Sequence, residues 1–311
     1  MFDAAIIGQI LWSSFANSSY FVLFALAFAL VLKVNGVFNF AQGGVMTTAF
    51  YAAYTIVGTA KLPGWLGFAG GLVAAVLLGV AIEMTGFRSL RLRRASPLFV
   101  FIFTLILTEL VSYIAMLIFG TWPTTIFPSL LWPVTLVGGI AISEWDVPAV
   151  LSAIAACSGL FLFLRFSRTG QCMIAVADNP QLAEFYGIER NAIYVRTMAV
   201  AGLLVGLGMF LFGTRAQVQP STSIELMLFA VVASIAGGIG NLWGAALTAV
   251  VLGVLQNSSV LVLPSEWQGL LLYVFLFAAI IFFPSGIKFP ARRLKVSRRA
   301  PAALEGGSQE G

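Results

Sequence analysis

The chain has no histidine, and only 9% of its 311 residues are charged. Without imidazole there is no physiological proton shuttle and no histidine ligand for zinc. Two cysteines, one in an apolar run (Cys157) and one in a polar loop (Cys172), make no disulfide framework and read as reduced thiols. None of the four lysines follows a glycine, so no phosphate-cradling G-x-x-x-x-G-K-[ST] loop exists. A soluble domain carries about 25% charged residues. Seventeen Lys+Arg and twelve Asp+Glu leave too little charge to cover a water-soluble globule of this size. A soluble enzyme, a disordered tail and a disulfide scaffold are excluded together. Mean hydropathy of +0.99 and 60% hydrophobic residues name the solvent as lipid.

Six unbroken apolar runs are long enough for about 30 Å of hydrocarbon: Trp12–Leu32, Leu66–Phe87, Leu98–Phe119, Val147–Leu164, Tyr194–Phe212 and Trp267–Phe283. Two more stretches, Val37–Gly58 and Leu226–Leu261, are apolar but interrupted by small and polar residues. The leader before the first run contains Asp3 and no basic residue, so that run reads as a retained span rather than a signal peptide.

Fourteen of the seventeen basic residues fall in three clusters. These are Arg88 to Arg94, Arg165 to Arg196, and Lys288 to Arg299. Excess Lys/Arg marks the cytoplasmic side. Each cluster abuts a span end, which argues against nucleic acid as the partner. Gly120–Asp146 and Thr214–Glu225 hold only Arg215 against Glu144, Asp146 and Glu225, and read as external. Trp12, Trp65, Trp122, Trp132, Trp145 and Trp267 near external span ends form an aromatic belt.

Parity then requires Leu226–Leu261 to enter and return, turning at Gly237-Gly-Ile-Gly-Asn241, and Trp267–Phe283 to cross inward. A full crossing by Val37–Gly58 places the N-terminus outside; a re-entrant one reverses it. The expected architecture is all-α and polytopic, with eight or nine membrane segments and the C-terminus inside. Residues 1–287 form the membrane domain, with a cytoplasmic loop at 165–193, and 288–311 a basic, then low-complexity, cytoplasmic tail.

Asn35, Asn39 and Gln42 stand at i, i+4 and i+7, one helical stripe, with Gly43-Gly44 directly after. Ser234, Gly237/Gly238 and Asn241 repeat the arrangement. Amides facing lipid lose hydrogen bonds that nothing replaces. Two glycine-interrupted, polar-striped segments, one per half, point to a path between discontinuous helices. Interhelical bonding with glycines for close packing fits the same residues. Gly202, Gly206, Gly208 and Gly213 read as a packing face, Glu83 and Arg88 as an ion pair one turn apart. Glu109, near mid-span, reads as bonding to neighbouring polar side chains, with contact to cargo or a proton as the alternative.

The segment Arg168 to Ile188 lies on the cytoplasmic side. Asn179 or Asp178 can cap a short helix that Pro180 opens and Gly187 ends in the left-handed conformation. Glu184 and Glu189 keep it wet, while Leu182, Phe185 and Tyr186 give it an apolar edge suited to a partner.

Several stretches occur in the order found in one family: Gly36-Val-Phe-Asn-Phe-Ala-Gln-Gly-Gly44, Glu83 with Arg88-Ser-Leu-Arg91, Ala95-Ser-Pro-Leu98, Thr169-Gly170 through Gly187-Ile188, Gly237-Gly-Ile-Gly-Asn-Leu-Trp-Gly-Ala245, and Phe283-Pro-Ser-Gly-Ile287. Over essentially its whole length the chain resembles the permease subunits of bacterial ABC importers for branched-chain amino acids, the LivH-like family. The resemblance implies a multi-pass inner-membrane subunit that is not an enzyme. It implies pairing with a second, homologous or identical permease, and two ATP-binding subunits on the cytoplasmic loop. It also implies a periplasmic substrate-binding protein on the external face. Gly170, Asp178, Pro180, Ala183, Glu184 and Gly187 are the expected ATPase contacts, and Asn35, Asn39, Gln42, Gly43, Ser234, Gly238 and Asn241 the expected path. ATP belongs to the partners, and no cofactor, metal or catalytic residue is expected in this chain. The family commonly has His where Gln42 stands and Arg where Ile174 stands. Gln42 cannot titrate, so no protonation step belongs there, and Ile174 removes a positive charge from the loop. The same fold serves permeases for urea, short amides and aromatic acids; a secondary transporter or channel would use the same broken helices without partners.

Overall fold

The computed structural model describes residues 4–127, 134–137 and 140–259, with further helical positions at 270, 273–275, 277 and 278. Trp132, most of the expected span Trp267–Phe283, the motif 283–287 and the tail 288–311 lie outside the described residues, and with them the side of the C-terminus.

Helix α1, Ala4–Asn35, runs 32 residues and stops where Gly36 turns to φ +67°. It is the axis of the bundle: 89% of its most apolar window is buried, against 22–28% for three peripheral helices. Those three are α3 with its continuation (Gly64–Leu92), α5 (Pro97–Phe119) and α6 (Asp146–Phe166). Their outer faces stay apolar because lipid, not water, covers them. Helix α2, Gln42–Tyr54, ends in a π-helical turn over Thr55–Thr59. Helix α3, Gly64–Ala81, passes through a second π segment, Ile82–Phe87, into α4, Arg88–Leu92. After α6 come the short helices α7 (Arg168–Asp178) and α8 (Pro180–Phe185). The long α9 (Arg190–Gly213) follows, then the pair α10 (Thr222–Ala236) and α11 (Leu242–Ser259).

Six helices are long and apolar enough to cross a membrane among the described residues. Five coincide with the unbroken runs read from sequence that lie in the described part; the sixth is α11. Helices α2 and α10 are shorter, as their interruptions foretold. Among the described residues the chain is otherwise all-α, apart from a small hairpin in which Val134–Val137 (β1) pairs antiparallel with Ile140–Ser143 (β2).

Glycine sets the helix spacing. A Cβ on Gly202 would lie 2.9 Å from the Ala75 carbonyl oxygen, and one on Gly206 3.0 Å from Leu72 Cα. So α9 and α3 meet backbone to backbone, as membrane helices do when dispersion replaces the hydrophobic effect. Gly208 and Gly213 instead face Phe24 and Phe50.

The two ends of the bundle are distinct. At one, Trp12 Nε1 donates to Asp146 Oδ2 at 3.0 Å, Arg215 pairs with Asp146 at 2.8 Å, and Thr124 bridges Val218. The start of α1 therefore sits with both loops read as external. At the other end Asn35, Glu83, Arg91 and Tyr194 gather beside the basic cluster. The chain leaves α1 at the basic end, and α2 finishes at the opposite end, where Val57 meets Gly67 near the start of α3.

Candidate functional site

Residues 36–41 and 237–241 interrupt the helices, and the two interruptions differ. At the first, Gly36 ends α1 and 37–39 carry no helical structure. Inside a bundle such backbone must find partners that lipid cannot offer. Helix α5 supplies them: Thr108 Oγ1 donates to the Phe40 carbonyl at 2.7 Å, and Thr104 Oγ1 lies 3.5 Å from that of Phe38. Gly43 permits the contact, since a Cβ there would stand 2.9 Å from Thr108 Cγ2. Neither threonine was singled out from sequence; hydroxyls at i and i+4 on α5 were the available signal.

Asn35, Asn39 and Gln42 do not share one helical stripe, contrary to expectation. Gly36 ends the helix between them, so Asn35 closes α1 and Gln42 opens α2. All three are buried. Asn39 Nδ2 reaches only Met198 Sδ at 3.8 Å, while Asn35 Oδ1, Asn39 Oδ1 and both amide atoms of Gln42 lack hydrogen-bond partners.

The second interruption is satisfied. Ser234 Oγ lies 2.7 Å from the Ala230 carbonyl and 3.1 Å from that of Ala25 on α1. Asn241 Oδ1 accepts the Gly244 N–H at 3.2 Å and so caps α11. Gly238 (φ +101°) and Gly240 (φ +79°) make the turn. Ser234 and Asn241 thus lie on different elements rather than on one stripe.

Glu83 is 1% exposed and pairs with Arg91, not with Arg88 as the one-turn spacing predicted. The wider π turn over Ile82–Phe87 carries Arg91 back over Glu83. Asn35 Nδ2 donates to Glu83 Oε2 at 3.1 Å, and the Arg91 guanidinium lies 4.6 Å from the Tyr194 ring centre. One turn earlier in α9, Arg190 pairs with Glu184 of α8 at 2.7 Å. Two groups of polar contacts, Glu184–Arg190 and Tyr194–Arg91–Glu83–Asn35, thus stand one turn of α9 apart between α8 and the first interruption.

The 165–193 region is a helical pair, not a loop with one helix. Ser167 Oγ accepts the Gly170 N–H at 2.9 Å and opens α7, which contains Cys172. Gly170 packs on the Phe163 carbonyl, where no side chain fits. Asp178 ends α7, and Asn179 caps α8 through Oδ1 on the Leu182 N–H at 3.0 Å. Pro180 takes the first helical position and Gly187 (φ +79°) closes the end, both as expected. Met173, Val176 and Ala183 bury one side of the pair. Leu182, Phe185 (89% exposed) and Tyr186 (80%) face out, next to the Glu184–Arg190 ion pair.

A cavity of about 1080 Å³ runs along α1, α6, α7 and α11. Its lining is mostly apolar, with Lys33, Arg165, Gln171 and Asn241 at the basic end; of the expected path residues only Asn241 lines it. Glu109, on α5, does not line it. It is exposed and makes no hydrogen bond or ion pair among the described residues, so the expected bonds to polar neighbours are absent. No group of three Cys, Asp or Glu that could hold a metal occurs among the described residues.

Residues 10–280 match the family model described as branched-chain amino acid transport system / permease component. The chain is 25% identical to the high-affinity branched-chain amino acid transport system permease protein LivH of Escherichia coli (strain K12), over 90% of this chain and 94% of that one. Its identity to the corresponding permease BraD of Pseudomonas aeruginosa is 24%, over 86% and 91% of the two chains. Among solved structures, PsaBC from Streptococcus pneumoniae in complex with Fab shares the fold, with a TM-score of 0.51 at 11% identity, covering 88% of this chain and 91% of that one.

Proposed function

The chain belongs to the branched-chain amino acid transport system permease family, and from that premise we propose that it is half of the membrane core of an ATP-driven, binding-protein-dependent importer for branched-chain or related amino acids. It is a multi-pass ABC permease subunit of the bacterial inner membrane. A second permease, homologous or identical, completes the core. Two ATP-binding subunits dock on α7 and α8, and a periplasmic binding protein delivers cargo at the end formed by the Gly120–Asp146 and Thr214–Glu225 loops. The last span crosses inward, leaving the C-terminus in the cytoplasm, and brings the membrane segments to nine.

The observation that carries this reading is the exposed edge Leu182, Phe185 and Tyr186, held by a capped helix whose reverse side is buried in the chain's own bundle. Large apolar groups held out by a rigid frame serve a protein contact better than they serve water. Gly170, Asp178, Pro180, Ala183 and Gly187 build that frame, and Glu184 passes its position to Arg190. ATP binding draws the two ATPases together; α8 moves with them. Through Arg190, Tyr194, Arg91 and Glu83 the displacement reaches Asn35 and the first interruption.

There the path opens. Asn39 and Gln42 acquire water or cargo as partners, and Gly43 leaves room for it. Ser234, Gly238 and Asn241, on the second interruption, form the opposing wall and its hinge. Contacts are weak by design, because cargo must leave a site it has entered.

The test is co-expression with the two ATPases, the second permease and the binding protein, followed by reconstitution in liposomes. Uptake of radiolabelled leucine should require ATP, both ATPases and the binding protein. Leucine uptake by this chain alone would overturn the reading.

A further inference from the structure

Helix α5 has two unlike sides. On one, Thr104, Thr108, Ser112 and Ala115 are buried, principally against α2. Gly43 and Gly44 bring the backbones so close that α5 cannot turn about its axis without breaking the Thr108–Phe40 bond. On the other, Ile102, Ile106, Tyr113 and Leu117 are exposed, and Glu109 stands among them.

Glu109 follows Pro97, the first residue of the helix, by about 18 Å at 1.5 Å per residue. That is the middle of a hydrocarbon layer of about 30 Å. Its short side chain cannot reach either interface, as a lysine or arginine would by snorkelling. No basic side chain lies in α2 or α5, and Glu109 has no hydrogen-bond or ion-pair partner among the described residues. Acids at this depth face a bundle interior or a water-filled cavity, not lipid. Among the described residues this chain provides neither on that side of α5.

We propose that Glu109 faces the aqueous cargo path between this chain and a second permease subunit, and that its carboxylate receives the ammonium group of the cargo. The inference rests on the importer reading and narrows it. A negative group at mid-depth, with no cation beside it, favours an amino acid over urea, a short amide or an anionic aromatic acid. Packing of α5 against the first interruption places this group on the element that the cytoplasmic helices move. Thr108 holds Phe40, so displacement of residues 36–41 shifts Glu109 with respect to the path.

The experiment uses the complete transporter in liposomes. In a background with Cys157→Ser and Cys172→Ser, Glu109→Cys is exposed to a membrane-impermeant, positively charged methanethiosulfonate reagent. The position should be labelled, and leucine supplied with binding protein and ATP should slow labelling at least threefold. Absence of labelling means lipid or a sealed protein contact, and overturns the proposal. In parallel, Glu109→Gln should lower leucine uptake at least tenfold while the purified complex retains both ATPases and their stimulation by loaded binding protein. Unchanged uptake also overturns it. Failure of the importer reading itself would appear differently, as an unmodified chain that retains no ATPase.

Discussion

The two interrupted segments carry similar residues, glycines beside short polar side chains, but their hydrogen-bond accounts differ. At 234–241 both polar side chains have partners: Ser234 on two carbonyls, Asn241 on the Gly244 N–H. At 35–42 four buried amide atoms have none, although the backbone there is held by Thr108. A buried polar atom without a partner costs about 1–3 kcal/mol, and a fold keeps it only where something else requires it. The second segment is therefore organised as a joint, while under the proposed function the first is where cargo or water completes the bonding. Identical residue types do not carry identical duties; what decides is whether the surrounding helices complete their bonding.

The largest effect that would test this contrast is Gly237→Ala. A Cβ there would overlap the Gly244 carbonyl carbon and oxygen and the Ala245 nitrogen, all backbone atoms that cannot swing aside. Such overpacking costs about 1–3 kcal/mol, and the upper end is expected where only backbone is in the way. Thermal unfolding of the purified complex should show the loss; normal stability would mean that the joint is looser than its backbone contact requires.

Gln42→Leu sharpens the first half of the comparison. It removes two unpartnered buried groups at nearly constant volume, so stability should hold or rise by about 1 kcal/mol. ATP-driven uptake should nevertheless fall about tenfold, equivalent to about 1.4 kcal/mol in the rate-limiting step. A variant with wild-type uptake would reduce Gln42 to a packing residue.

The smallest effect belongs to Ser234→Ala. Losing the bond to Ala25 should cost about 1 kcal/mol of stability, with uptake within twofold of wild type. If uptake fell as far as in Gln42→Leu, the distinction between the two segments would be lost.

Sequence alone reached the long spans of the described part, the turn at 237–241, the Pro180 start and the Gly187 stop, because each depends on local hydropathy or backbone restriction. What it missed depends on phase. The stripe Asn35, Asn39 and Gln42 assumed an uninterrupted helix, whereas Gly36 adopts φ +67° and ends it. Pairing Glu83 with Arg88 assumed 3.6 residues per turn, whereas the π segment changes the count and selects Arg91. The polar composition of 168–178 reads as loop, and α7 forms there with Met173 and Val176 buried. The service of Thr104 and Thr108 to a distant backbone has no local signature. For Glu109, the residue type and depth were evident, but not which side of α5 the bundle would leave open.

The account depends most on α8 being the place where work enters the molecule. A photo-crosslinking amino acid placed at Phe185 in the assembled transporter tests this directly, since that side chain is 89% exposed and no backbone need change. Irradiation should join this chain to an ATP-binding subunit, with a yield that changes on adding ATP. Adducts confined to lipid or to this chain's own helices would contradict it.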